Sequence, residues 1–160
     1  MMRSALLATV AGVALLAACN RPLFDRPKPS VERINPNIPG GKFRILSSIA
    51  GGDALTDLQI SVTVRQQLTD SGFTVARRAG RWESQSDALR GICSPGEQPS
   101  IDGVLFIWYN RLELRDCASG STAFEITSGG SEGIDAITNR LIRYLRQGGA
   151  DSAAPPPPTS

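Results

Sequence analysis

Ile101–Asp116, IDGVLFIWYNRLELRD, is the stretch on which the fold of this chain turns. Val104, Phe106, Trp108, Leu112 and Leu114 share one parity. Side chains alternate faces along a strand, so a single long strand would place these five on one face. Between Val104 and Tyr109 the other parity is apolar too, through Leu105, Ile107 and Tyr109. A segment apolar on both faces belongs in the middle of a sheet. From Arg111 onward one parity reads Arg111, Glu113, Arg115, so that half is expected to be wet on one side. The run is therefore read first as the core strand of a small domain. Function, if it lies on this strand, is expected at Arg111–Gly120.

Outward from this run, the order of elements follows from periodicity and punctuation. Lys42–Ser48 alternates Phe43 and Ile45 and reads as a first strand, with Ile49–Ala54 as a glycine loop. Thr56–Ser71 carries two patterns. Leu58, Ile60, Val62 and Val64 alternate as in a strand, while Ile60, Val64 and Leu68 form an i, i+4, i+8 stripe. Thr56 and Gln59 have capping-box spacing, with Leu55 and Ile60 placed as a staple. Asp57 suits a first turn and Gly72 a helix end, so the helix is favoured. Phe73–Arg78 is a second strand, and Arg77, Arg78 and Arg81 cluster at its end, read as a solvated strand end with an anionic contact site as the alternative. Ser84–Ile92 forms a short helix capped by Ser84, and Cys93–Ser100 is a loop. After the central run, Asp116–Gly120 turns and Ser121–Thr127 returns antiparallel. The last helix carries Ile134, Ile137, Leu141, Tyr144 and Leu145 on one stripe, with Arg140, Arg143 and Arg146 opposite. The expected fold is a small α/β domain. About four strands form a mixed sheet with two main helices: a βαβ crossover, a hairpin and a C-terminal helix. A right-handed crossover sets the first strand beside the central one.

The ends of the chain differ from this body. Met1–Ala18, MMRSALLATVAGVALLAA, has a basic start, a short apolar run and small residues, the pattern of an export signal. Leu16-Ala17-Ala18-Cys19 resembles the lipobox of bacterial lipoproteins. That resemblance implies acylation of Cys19 and cleavage just before it. Asn20 follows where an aspartate would mark inner-membrane retention, which favours an outer-membrane, periplasm-facing protein. Residues 19–41 hold five prolines and end in Gly-Gly. They read as a tether with a reach on the order of 60 Å. Residues 42–147 are the folded body, and 148–160, ending in prolines, read as a disordered tail.

Composition narrows the function. The 160 residues are 41% hydrophobic and 20% charged, with a net charge of +2, too small to argue for nucleic acid. Histidine is absent, which removes the commonest general base and metal ligand. No phosphate loop, dinucleotide fingerprint or metal-spaced acidic cluster is present. The chain is thus expected to be non-enzymatic, with no catalytic residues, cofactor or metal. Arg111 and Arg115 on the wet half of the central run, and Arg140 and Arg143 on the last helix, are the candidate partner-binding residues. Trp108 and Tyr109 suggest a small-ligand pocket as an alternative. Cys93 and Cys117, in an exported chain, are candidates for a disulfide. Were the central strand straight, they would lie roughly 45 Å apart at about 3.3 Å per residue. Pairing requires the preceding loop to fold back, or the strand to bend near Asn110. Buried thiols and pairing with another chain are the alternatives.

Three segments resemble a group of bacterial envelope proteins. These are Leu68–Arg78 (LTDSGFTVARR), Ile101–Leu105 (IDGVL) and Leu112–Gly120 (LELRDCASG). The group includes the amino-terminal domain of TolB, the curli secretion-channel lipoprotein and outer-membrane activators of penicillin-binding proteins. The chain departs from it in Cys93, Cys117 and Ser119. The resemblance implies an anticodon-binding-like α/β sandwich and no catalytic residue. It points to a docking or accessory subunit of an envelope assembly, in secretion, polysaccharide export or peptidoglycan synthesis. The expected partners are the membrane, through the lipid, and an envelope protein, with a ring-forming homo-oligomer as a further alternative.

Overall fold

The computed structural model describes residues 28–52, 55–76, 82–96, 100–130 and 132–147. The signal segment 1–18, Cys19, the run Arg77, Arg78 and Arg81, and the tail 148–160 lie outside the described residues.

A six-stranded mixed sheet forms in the order β1-β6-β5-β4-β2-β3. Its strands are β1 (Val31–Ile34), β2 (Ile45–Ala50), β3 (Thr74–Ala76), β4 (Gly103–Trp108), β5 (Arg111–Asp116) and β6 (Thr122–Thr127). Helices α1 (Leu55–Asp70) and α3 (Ile134–Arg146) pack against one face, and α2 (Gln85–Ile92) lies on the other. The α/β class, the crossover and the terminal helix stand as read from the sequence. The crossover β2-α1-β3 is parallel, and β2 pairs parallel with β4, so the first strand lies beside the central run as expected.

The central run is corrected. Ile101–Asp116 is not one strand but a hairpin, with Trp108 opposite Arg111 and a two-residue turn at Tyr109–Asn110. Neither turn residue has a positive φ, so the turn lacks the glycine signature of the common tight hairpins. The expected five-residue face is split as a result. Directly opposed residues share a face, and here the pairs are Leu105–Leu114 and Ile107–Leu112. All four are buried in the main core beneath α1 and α3. Val104 and Phe106 go to the opposite face, where they join Ala88 and Ile92 of α2 in a second, smaller core. A two-residue turn exchanges the parity of the two arms, which is why one apolar run feeds two cores.

The boundary of the body is also corrected. Residues 31–34, expected in a tether without ladder bonds, form β1 and pair antiparallel with β6. The prolines Pro29 and Pro36 flank this stretch and do not interrupt it, and β1 is an edge strand, where proline neighbours are tolerated. Ile38 is buried, and its carbonyl accepts from the Tyr144 hydroxyl at 2.6 Å. Gly40 packs so tightly that a Cβ there would fall 1.8 Å from the Tyr144 carbonyl oxygen. The fold thus includes residues well ahead of Lys42, with β1 at Val31–Ile34. β2 extends to Ala50 across residues expected as loop, because Ile49 and Ala50 pair with Phe106 and Ile107.

Thr56–Ser71 resolves as helix, with Val64 and Leu68 fully buried and Ile60 packed beside them. The expected staple is absent: Leu55 opens α1 and is 78% exposed, while Ile60 faces the core. Ser84 caps α2, accepting from the Asp87 amide at 3.2 Å.

Candidate functional site: a charged open sheet face

β5 carries Arg111, Glu113 and Arg115 on the face away from α1 and α3. The residues opposite them on β6 and β1 extend the row. Glu125 lies across from Glu113, and Arg33 across from Glu125. Strand pairing therefore assembles five alternating charges: Arg33, Glu125, Arg111, Glu113 and Arg115. Arg111 Nη2 is 2.7 Å from Glu113 Oε2, and Arg115 Nε is 2.8 Å from Glu113 Oε1. Thr122 Oγ1 donates to Glu113 Oε1 at 3.0 Å, and Arg115 Nη2 donates to Gln85 Oε1 of α2 at 3.0 Å. Arg111 Nε is 3.2 Å from Glu125 Oε1, within ion-pair range but not aligned for a hydrogen bond. Arg33 reaches Glu125 at 3.7 Å.

Packing fixes these groups. Arg111 lies over the Trp108 ring at 4.9 Å and Arg115 over the Phe106 ring at 5.8 Å. Glu113 is only 2% exposed, held in ionic contact by both arginines. Both guanidinium forks on β5 are already engaged, so the row is not a preformed anion pocket. It is a mixed-charge row whose most open member is Arg33, 74% exposed at its side chain.

The four candidate arginines do not form one site. Arg140 and Arg143 lie on α3, on the other side of the sheet. Arg140 is taken up by Glu132 at 2.5 Å and Glu32 at 3.6 Å. Arg143 is exposed beside a groove lined also by Glu32, Ile34 and Gln147. Nor is Arg111–Gly120 a single end. β5 runs the length of the sheet, so Arg111 and Gly120 stand at opposite poles.

Cys93 and Cys117 are joined in a disulfide with Cα atoms 5.3 Å apart. The bend at Asn110 brings Asp116 back beside Gly103, which removes the separation a straight strand would impose. The segments carrying the family resemblance serve as braces. Asp102 Oδ2 accepts the Arg44 and Ile45 amides, each at 2.8 Å. Asp116 accepts the Ala118 and Ser119 amides and the Ser119 hydroxyl, and binds Lys42 Nζ at 2.7 Å. Asp57, buried at the start of α1, accepts the Tyr109 amide at 2.9 Å and so holds the hairpin turn. Sequence reasoning missed this last contact, because nothing local links residues 52 apart.

A cleft of about 210 Å³ lies beside α2, lined by Ile49, Gly51, Trp82, Ser84, Gln85 and Phe106. Trp108 does not line it. Its indole packs against Gly51, where a Cβ would fall 2.1 Å from the ring. Among the described residues no cluster of three metal-binding side chains occurs, and no helix is long and apolar enough to cross a membrane.

No family model matches the chain, and no curated protein matches it. Among solved structures, the PelC dodecamer from Paraburkholderia phytofirmans is 16% identical, with 74% of this chain and 94% of that chain covered and a TM-score of 0.40. A variant of the same PelC gives 14%, 74%, 97% and 0.42. Histidyl-tRNA synthetase from Nostoc sp. PCC 7120 is 17% identical, over 62% of this chain and 22% of that one, at 0.39. Likenesses this distant carry no functional argument.

Proposed function

We propose that this chain is a non-enzymatic, lipid-anchored periplasmic protein of the outer membrane, acting as a docking or accessory subunit of a cell-envelope assembly. The observation that carries this reading is Leu16-Ala17-Ala18-Cys19, placed nine residues ahead of Lys28, which bridges Gly130 of the domain. The chemistry of the domain agrees. Its ionic side chains on the open face satisfy one another and leave no paired nucleophile and base. The charged row offers register and specificity to a protein partner, as rim charges do, with little affinity of its own. The test is capture by mild crosslinking from intact envelopes. Recovery of a defined envelope protein is expected, and loss of that capture on Arg33→Glu would place the contact on this face. Recovery of no envelope protein would refute the docking role. Cys19→Ser is expected to release the protein from membranes, and unchanged membrane association would refute the anchor.

A second reading, a small-ligand binder, is favoured by the cleft beside Trp82 and Phe106. Titration with envelope metabolites would then quench Trp82 emission, and Trp82→Phe would remove the response.

A further inference from the structure

The strand register places several distant residues at one end of the molecule. Val31 pairs with Thr127, Thr127 with Arg111, Arg111 with Trp108, and Ile107 with Ala50. This row is one rim of the sheet. The Tyr109–Asn110 turn projects from it, and the first turn of α1 is tied to it by the bond from the Tyr109 amide to Asp57. Lys28 also lies here, since it bridges Gly130 just beyond the end of β6.

The same rim gathers apolar side chains that the fold leaves outside. Tyr109 is 63% exposed, Leu55 78%, Val31 54% and Leu58 49%. Val62 continues this stripe one turn along α1. Of the exposed large apolar residues described, only Ile34 lies toward the opposite rim. That rim carries Lys42, Asp102, Asp116 and Arg146 instead. Tyr109 and the first turn of α1, joined through Asp57, set Tyr109, Leu55 and Leu58 side by side, with Val31 farther along the rim on the edge strand. Such an exposed apolar group marks a contact surface.

The length of chain ahead of Lys28 says what covers it. Nine steps separate Cys19 from Lys28, so a lipid on Cys19 holds this rim within about 30 Å of the bilayer even when fully extended. We propose that this rim rests directly on the lipid surface, with Tyr109 at head-group level and Leu55 and Leu58 entering the interface, as a second attachment beside the Cys19 lipid. This deepens the anchored reading and rests on it. Tyrosine suits that depth because its ring is apolar and its hydroxyl polar. Lys28, exposed at the same rim, faces anionic head groups favourably. The contact is weak alone, but the tether raises its effective concentration to the millimolar range. The outcome is a fixed orientation, with the Asp116–Gly120 turn and the disulfide pointing into the periplasm.

The lipidated chain is reconstituted in phosphatidylcholine–phosphatidylglycerol vesicles with and without brominated acyl chains. Two tryptophan reporters at exposed positions are compared, Leu55→Trp on this rim and Ala118→Trp on the other. The emission added by Leu55→Trp is expected to fall about twofold or more with bromine, and that added by Ala118→Trp to be unchanged. Adding Tyr109→Ser and Leu58→Ser to the first reporter is expected to abolish most of the quenching. No quenching at Leu55→Trp, or equal quenching at both, overturns the proposal even where the protein sediments with the vesicles. Mass spectrometry of Cys19 judges the anchor separately. If Cys19 carries no acyl chain, the same comparison at millimolar lipid decides, and absent quenching again overturns the contact.

Discussion

Asp116 sits under the Lys42 ammonium at 2.7 Å, at the bottom of the turn it organises. Burial pushes its carboxyl up. The bonds from Lys42, Ser119 and Ala118 outweigh that and hold it below its ordinary value of 3.8. A group depressed in the folded state adds stability above its unfolded pKa and loses it as pH falls through the folded one. Acid denaturation is therefore expected to steepen below about pH 4, and Asp116→Asn to flatten that limb in urea titrations at pH 2–5. Tyr144 behaves in the opposite sense. Burial, with the nearby Asp116 charge, raises its hydroxyl to about 12. Its neutral form is fully stabilising below about pH 10, and that share is lost between pH 10 and 12. Ultraviolet titration is expected to show one tyrosine ionising near 12, and Tyr144→Phe to remove that step. Glu113→Ala would leave two guanidinium groups facing across an empty site. It is expected to destabilise the domain by about 3 kcal/mol, read from the urea midpoint.

At the scale of elements, the hairpin Gly103–Asp116 and helix α2 are joined by Cys93–Cys117. Closing a loop of sequence separation 24 restricts the unfolded chain by about 3.5 kcal/mol. Cys93→Ala with Cys117→Ala is expected to lower the Tm by on the order of 15 °C, and the loss should appear first as faster amide exchange in α2. That helix lies over the smaller core alone, held otherwise by its Gln85–Arg115 bond. Helix α3 was legible from its 3.6-residue stripe, and α1 only from its sparser stripe together with Asp57 and Gly72 at its ends, against a strand-like alternation. The hairpin was not, because Tyr109-Asn110 lacks a glycine and the apolar run continues straight through it. β1 was hidden for the converse reason. The prolines around it read as a linker, and only the pairing with β6 shows that Val31–Ile34, between Pro29 and Pro36, forms a strand.

For the whole molecule, the decisive feature is that the chain's first described residues are part of the sheet. A chain beginning at Lys42 would lose β1, the buried Ile38 and the acceptor of the Tyr144 hydroxyl. It would also leave β6 as a bare edge. Such a truncation is expected to be less stable than one beginning at Lys28 by several kcal/mol, about 2 or more for the apolar burial alone, and to aggregate on heating. Differential scanning calorimetry of the two would check it.

By itself the sequence determined the α/β class, the three helices and the crossover. It also set the absence of histidine chemistry and the lipobox-like Leu16–Cys19 segment that makes Cys19 the expected anchor. These follow from composition and from short-range periodicity, which need no neighbours to be read. Only the tertiary structure decided that Ile101–Asp116 folds back on itself, that Cys93 meets Cys117, and that Arg111 and Arg115 are spent on Glu113 while Arg140 and Arg143 lie across the sheet. Each of these depends on pairing between residues far apart in the chain. A single pair of turn residues, Tyr109 and Asn110, sets that pairing, held by the carboxylate of Asp57 from another element.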